Sequence, residues 1–214
     1  DDISITVSNL APGLIQVANN LAQGAVTVRG RVTRTGRGLT NDFPEVPPGR
    51  YVATWSPVAY YETPAPQTNV LNPESVLTFN GVYTFADGNF NGMSDAWEMA
   101  FFNELSFERD CLTDSDADGF NDCEEFAAGT DPTLPGSVLR LRPPVVTLGT
   151  NGVSRLVFEW LAVPGHLYEL QGAWEFNGWA PLSFRLLASG TNLSTSISLP
   201  EEFDPNSFRL QVWP

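Results

Sequence analysis

Two stretches decide how this chain is read: DGNFNGMSDAWE at residues 87–98 and DSDADGFNDCEE at residues 114–125. In the first, Asp87, Asn89 and Asn91 stand at positions 1, 3 and 5, Gly92 at 6, Asp95 at 9 and Glu98 at 12. The second repeats the scheme with Asp114, Asp116, Asp118, Gly119, Asp122 and Glu125. Alternate side chains of a tight loop point inward, so positions 1, 3 and 5 offer oxygens to one centre, and glycine at 6 permits the sharp turn. The carbonyl at position 7, on Met93 or Phe120, adds an oxygen, and position 9 contributes directly or through water. Glu at 12 closes the shell with both oxygens from the first turn of a helix. A shell of about six to eight oxygens at 2.3–2.6 Å is what Ca²⁺ requires.

Each stretch is a full match to the EF-hand-type pattern D-x-[DN]-x-[DN]-G-x5-E. From average residue frequencies one such match arises by chance on the order of once per thousand chains of this length, and two so close together far more rarely. Asn at positions 3 and 5 gives the first loop fewer formal charges and predicts weaker binding there than in the second. The helices that carry the position-12 glutamates are legible: Asp95 to Leu105 sets Trp97, Ala100 and Phe101 on an apolar stripe, and Asp122 to Ala128 carries Phe126 and stops at Gly129.

These paired loops, with Gly129-Thr130-Asp131-Pro132 following, resemble the thrombospondin type 3 and dockerin-like calcium repeats over residues 86–135. The resemblance implies a spacer whose fold depends on two calcium ions, as in exported bacterial proteins. Cys111 and Cys123, the only cysteines, bracket the run into the second loop. In an exported protein they are expected to form a disulfide worth ~3 kcal/mol in the chain-entropy model, the alternative being two free thiols. Their placement is closer to the animal repeats than to the bacterial pattern. A calcium sensor would need a Met-rich target groove, and the chain has two Met.

Working outward, composition divides the chain at 1–12, 13–85, 86–135 and 136–214. Of 214 residues 42% are hydrophobic, enough to bury real cores, and 17% are charged. Eleven basic residues, all Arg, stand against 25 acidic ones for a formal charge of −14, so the basic face that nucleic acid needs is missing. Two Ca²⁺ would neutralise four of those charges. The absence of Lys excludes Schiff-base and isopeptide chemistry. No apolar run approaches the ~18 residues of a membrane span.

Residues 13–85 carry β-like runs at Leu14 to Val17, Ala25 to Val32, Arg50 to Trp55 and Val76 to Phe85, separated by turn signals. Val46-Pro47-Pro48-Gly49-Arg50-Tyr51, Tyr60-Tyr61-Glu62-Thr63-Pro64 and Val82-Tyr83-Thr84 resemble the immunoglobulin-like PEGA-type surface module. The β signature returns after the acidic segment in Leu156, Phe158 and Trp160, then Tyr168 and Leu170, then Phe208, Leu210 and Val212, with turns at Asn151-Gly152 and Pro164-Gly165. That part is similar to a fibronectin-III-like β-sandwich. The fold expected is mainly β: two small immunoglobulin-like β-sandwiches joined by a two-calcium connector with short helices.

Residues 1–12 alternate Ile3, Ile5 and Val7 against Ser4, Thr6 and Ser8, a strand with no place in the module that starts at Leu14. Two readings stand level: this strand pairs with its own chain, or it is donated to the sheet edge of a neighbouring copy, with Ile3, Ile5 and Val7 at the subunit interface. A start at Asp1-Asp2 without Met fits removal of a signal peptide, hence an extracellular or cell-surface location. Catalysis finds no motif: G-x-S-x-G, H-E-x-x-H and the phosphate-binding G-x-x-x-x-G-K are absent, and the single His, His166, reads as a surface turn residue. Among the tryptophans, Trp97 and Trp160 read as core, and Trp174 and Trp179 as the better candidates for exposure. The function expected is a secreted, calcium-stabilised structural subunit of a filament, tube or sheath, a homopolymer joined by strand donation. The alternative is an adhesin or carbohydrate-binding module with a cell-surface glycan as partner.

Overall fold

The computed structural model describes residues 10–148, 154–173, 178–198 and 207–213. The expected interface residues Ile3, Ile5 and Val7, the Asn151-Gly152 turn and Trp174 lie outside them. The protein falls into two compact units, one ending at Thr84 and the other beginning at Phe85.

The first unit holds seven strands: β1 (Gly13–Asn19), β2 (Ala25–Arg29), β3 (Thr33–Arg37), β4 (Thr40–Val46), β5 (Gly49–Trp55), β6 (Gln67–Leu71) and β7 (Val76–Gly81). They form two sheets, β4-β1-β7 and β3-β2-β5-β6. Strand β1 runs antiparallel to β4 and parallel to β7, with Leu14 opposite Val76 and Val17 opposite Phe79. Period-two alternation sends Ile15 and Val17, Val26 and Val28, Tyr51 and Ala53, and Leu77 and Phe79 into one core between the sheets. At its end Asn19 is buried but satisfied: its Oδ1 accepts from Trp55 Nε1 (2.7 Å), and its Nδ2 donates to the carbonyls of Gly38 (2.7 Å) and Gly24 (3.3 Å). A buried amide is tolerated only when its hydrogen bonds are met in this way.

The second unit opens with two helices, α1 (Asp95–Phe102) and α2 (Asp122–Ala128), and continues through β8 (Val145–Leu148), β9 (Ser154–Leu161), β10 (Leu167–Ala173), β11 (Trp179–Pro181), β12 (Leu186–Leu187), β13 (Asn192–Ser198) and β14 (Ser207–Trp213). One sheet is ordered β13-β9-β8; in the other, β10 pairs with β11, β12 and β14. Phe158 and Trp160 of β9 meet Tyr168 and Leu170 of β10 in the core between them. The rings of Phe158 and Phe208 lie 4.8 Å apart, and those of Trp160 and Tyr168 5.9 Å apart. The architecture is mainly β, as expected, and no helix of the described residues is long and apolar enough to cross a membrane.

The acidic segment has a small core of its own. Trp97 of α1 is buried, its ring centroid 5.2 Å from Phe101, 5.9 Å from Phe102 and 5.5 Å from Phe126 of α2. Phe85 meets Phe126 edge-on at 5.4 Å. Both helices end on a left-handed residue, Asn103 and Gly129, and α2 begins with a capping box between Asn121 and Glu124.

The structure corrects the reading of His166. Its side chain is 2% exposed and lies beneath the end of α2, where a Cβ added at Gly129 would fall 2.9 Å from His166 Cε1. The turn VPGH folds inward, the His166 N–H donating to the Val163 carbonyl (3.2 Å). Burial pushes its pKa down to about 4.

Candidate metal centre

Both loops are held by the same hydrogen bonds. At position 1, Asp87 accepts from the Asn91 and Gly92 N–H groups (3.0 and 2.9 Å), and Asp114 from those of Asp118 and Gly119 (3.2 and 3.0 Å). At position 5, Asn91 Oδ1 accepts from Met93 N (2.9 Å) and Asp118 Oδ1 from Phe120 N (2.9 Å). At position 9, Asp95 accepts from Gly88 N (2.8 Å) and Asp122 from Ser115 N (3.1 Å). The backbone repeats too. Gly92 and Gly119 take φ of 85° and 97° at position 6, as the sequence required, and Phe90 and Ala117 take φ of 59° and 62° at position 4. A left-handed non-glycine residue costs about 1–2 kcal/mol, and neither Phe nor Ala signals it in sequence.

In each loop the helix starts at position 9 and so delivers its position-12 glutamate into the loop: Glu98 and Glu125 are 0% and 1% exposed. The second loop gathers carboxylate oxygens, and among the described residues only Asp122 has a cation beside it, Arg109 at 3.6 Å. Oxygens of Asp114, Asp116 and Asp118 lie within 4.8 Å of one another. Asp116 Oδ2, Asp118 Oδ2 and Glu125 Oε2 are buried without a hydrogen-bond partner. The other Glu125 oxygen accepts from Thr130 Oγ1 (3.0 Å). Burial, followed by repulsion from Asp116, Asp118 and Asp122, pushes the Glu125 carboxyl up to about 7, and burial with the neighbouring aspartates raises Asp116 as well. Buried carboxylates face a desolvation cost that a cation removes. An all-oxygen donor set without imidazole or thiolate suits a hard cation, so the residues present fit calcium.

The first loop fits less completely. Asn89 Oδ1 is buried without a partner, the oxygen a cation would take at position 3. The amide nitrogens of both asparagines face the linker: Asn89 Nδ2 donates to the Ser106 carbonyl (2.9 Å) and Asn91 Nδ2 to the Arg109 carbonyl (3.2 Å). Arg109, the one basic residue between Arg50 and Arg140, was passed over in the sequence. Its side chain is 11% exposed and pairs with Glu98 Oε1 (3.1 Å) and Asp122 Oδ2 (3.6 Å), with the guanidinium carbon 3.6 Å from the centre of the Phe102 ring. Its isolation as a lone cation in an acidic run was the signal that could have found it.

Cys111 and Cys123 form a disulfide with Cα atoms 4.8 Å apart. It ties the entry of the second loop to α2 and lies against the turn of the first: Cys111 Sγ is 3.0 Å from the Asn91 carbonyl, and a Cβ on Gly92 would meet it at 3.1 Å. Trp97 and Trp160 are core, as expected, and Trp179 is 42% exposed with Arg209 over its ring at 4.5 Å.

No family model and no curated protein matches the chain. Among solved structures it is similar to a proposed carbohydrate binding protein from Bacteroides uniformis ATCC 8492, at 10% identity over 88% of this chain and 80% of that one, with a TM-score of 0.25. It is also similar to a DUF3823 family protein from Parabacteroides merdae ATCC 43184, at 7% identity over 95% and 90% of the two chains, with a TM-score of 0.27. Both scores are too low for either likeness to carry an argument.

Proposed function

We propose that this is an exported, non-enzymatic structural protein whose acidic segment is ordered by calcium. The observation that carries the reading is the set of three buried, unpartnered carboxylate oxygens on Asp116, Asp118 and Glu125, at positions 3, 5 and 12 of one loop. The disulfide suits an oxidising compartment. Calcium is then a folding ligand, because it removes the repulsion that the empty loop stores. Saturating EDTA is expected to lower the thermal midpoint and expose residues 86–135 to protease. An unchanged midpoint and unchanged cleavage would overturn the reading.

Within that reading the protein is a subunit of an extracellular filament, tube or sheath. Strand β8 supports this: it is the edge of its sheet, and Val145, Val146 and Leu148 are 62%, 64% and 79% exposed. An exposed apolar edge invites strand addition. The occupant is the alternating segment 1–12 of another copy, whose Asp1 and Asp2 complement Arg140, shortly before β8, and Arg155, opposite Thr147 of β8. Deleting residues 1–12 is expected to leave a folded monomer that no longer polymerises. Continued polymerisation would rule out strand donation, and glycan binding unaltered by the deletion would favour the surface-binding alternative.

A further inference from the structure

The two loops share a backbone and differ at position 12. Glu125 keeps one oxygen without a partner. Glu98 has none to spare: Oε1 accepts from Arg109 Nη1 (3.1 Å) and Asn89 Nδ2 (3.3 Å), and Oε2 accepts from Asn89 Nδ2 (3.1 Å). The bidentate face that would close a calcium shell is already hydrogen-bonded. The charges differ in the same direction. The first loop sets Asp87, Asp95 and Glu98 against one guanidinium, which reaches the second loop only at Asp122 among its five carboxylates, Asp114, Asp116, Asp118, Asp122 and Glu125.

Arg109 is built into this position. Phe102 stacks on its guanidinium, Asp122 holds another edge of it, and its carbonyl is tied to loop 1 by Asn91. We propose that Arg109 is the resident cation of the first loop, so that the pair loads one calcium ion tightly, in the second loop. A second ion enters the first loop only by drawing Glu98 away from the guanidinium. This rests on the calcium reading above. It turns the expected two-ion connector into a one-plus-one device in which an arginine, more than the two asparagines, sets the difference.

The test is calcium titration calorimetry on the chelator-stripped full chain, with circular dichroism to check folding. The native protein is expected to show one tight step of one ion and a second step at least about tenfold weaker. Arg109→Gln is expected to strengthen the second step at least about tenfold, and Arg109→Lys to keep it weak. A merely structural Arg109 would weaken both steps when removed, and that result would overturn the proposal, as would two equal tight steps in the native chain. Should Arg109→Gln fail to fold, Arg109→Met serves instead: it keeps the aliphatic stem beside Phe102 and removes the charge that holds Glu98, and an unimproved second step would overturn the proposal. No binding at all in the native chain would instead sink the calcium reading itself, and the proposal with it.

Discussion

Glu125→Gln should change the sign of its effect with calcium. Glu125 is 1% exposed, accepts at one oxygen from the Thr130 hydroxyl and leaves the other unpartnered beside Asp116 and Asp118. Without calcium, the substitution replaces a buried, repelled carboxylate with a neutral amide that can donate to those neighbours. Relieving a buried unsatisfied group is worth about 1–3 kcal/mol. With free calcium at a thousand times the dissociation constant, the native site gains about 4.1 kcal/mol from binding. The substitution forfeits most of that, because position 12 supplies two of the ligand oxygens. A unit of this size shifts its midpoint by roughly 3–5 °C per kcal/mol. The variant should therefore melt several degrees below the native protein in calcium, where the forfeited binding exceeds the same relief by about 1–3 kcal/mol, and several degrees above it in EDTA. Loss of a helix first-turn charge acts equally in both buffers and cancels in the difference. Differential scanning calorimetry in the two buffers decides it, and a midpoint change of the same sign and size in both would refute the reasoning.

Burial of His166 makes the second unit acid-sensitive. Its folded pKa near 4 lies below the unfolded value near 6.5, so the neutral imidazole stabilises the fold above pH 6.5. That contribution, about 3 kcal/mol, falls away as pH drops from 6.5 through 4. His166→Gln should flatten this part of the stability profile, and an unaltered slope in urea titrations would count against it. Replacing Cys111 and Cys123 by Ser should cost about 3 kcal/mol in EDTA and weaken the tight calcium step, checked by urea unfolding and calorimetry. Asn19→Ala leaves the Trp55 N–H and two carbonyls unanswered and should destabilise the first unit by about 2–4 kcal/mol, read by denaturant unfolding of residues 10–84.

The loops and the strands on either side of them were legible to different degrees for physical reasons. Position-by-position spacing pointed to the candidate ligands because metal chemistry tolerates few substitutes, and the helices at Asp95 and Asp122 followed from their place in the pattern. Strands β1, β2, β5, β7, β9, β10 and β14 announced themselves through apolar alternation. Strands β3, β4 and β6 did not, because each lies at or near a sheet edge, where TRTGR, TNDFPEV and QTNVL bury few side chains. Strand β13, written NLSTSIS, hid behind its Ser and Thr. The roles of Arg109 and His166 are hidden from the sequence for a shared reason: they come from neighbours distant in sequence, Asp122 and Glu98 for one and Gly129 at the end of α2 for the other. No local pattern carries such information.

The disulfide bears on how fast the ion returns. With Cys111 stitched to α2 at Cys123, and its sulfur resting on the first turn at Gly92, a stripped second loop keeps its ends together. Recharging then needs only side-chain rotation and water exchange, and not a search by an open chain. In a medium where calcium rises and falls, the oxidised molecule would follow those changes promptly, and its reduced counterpart would lag behind them.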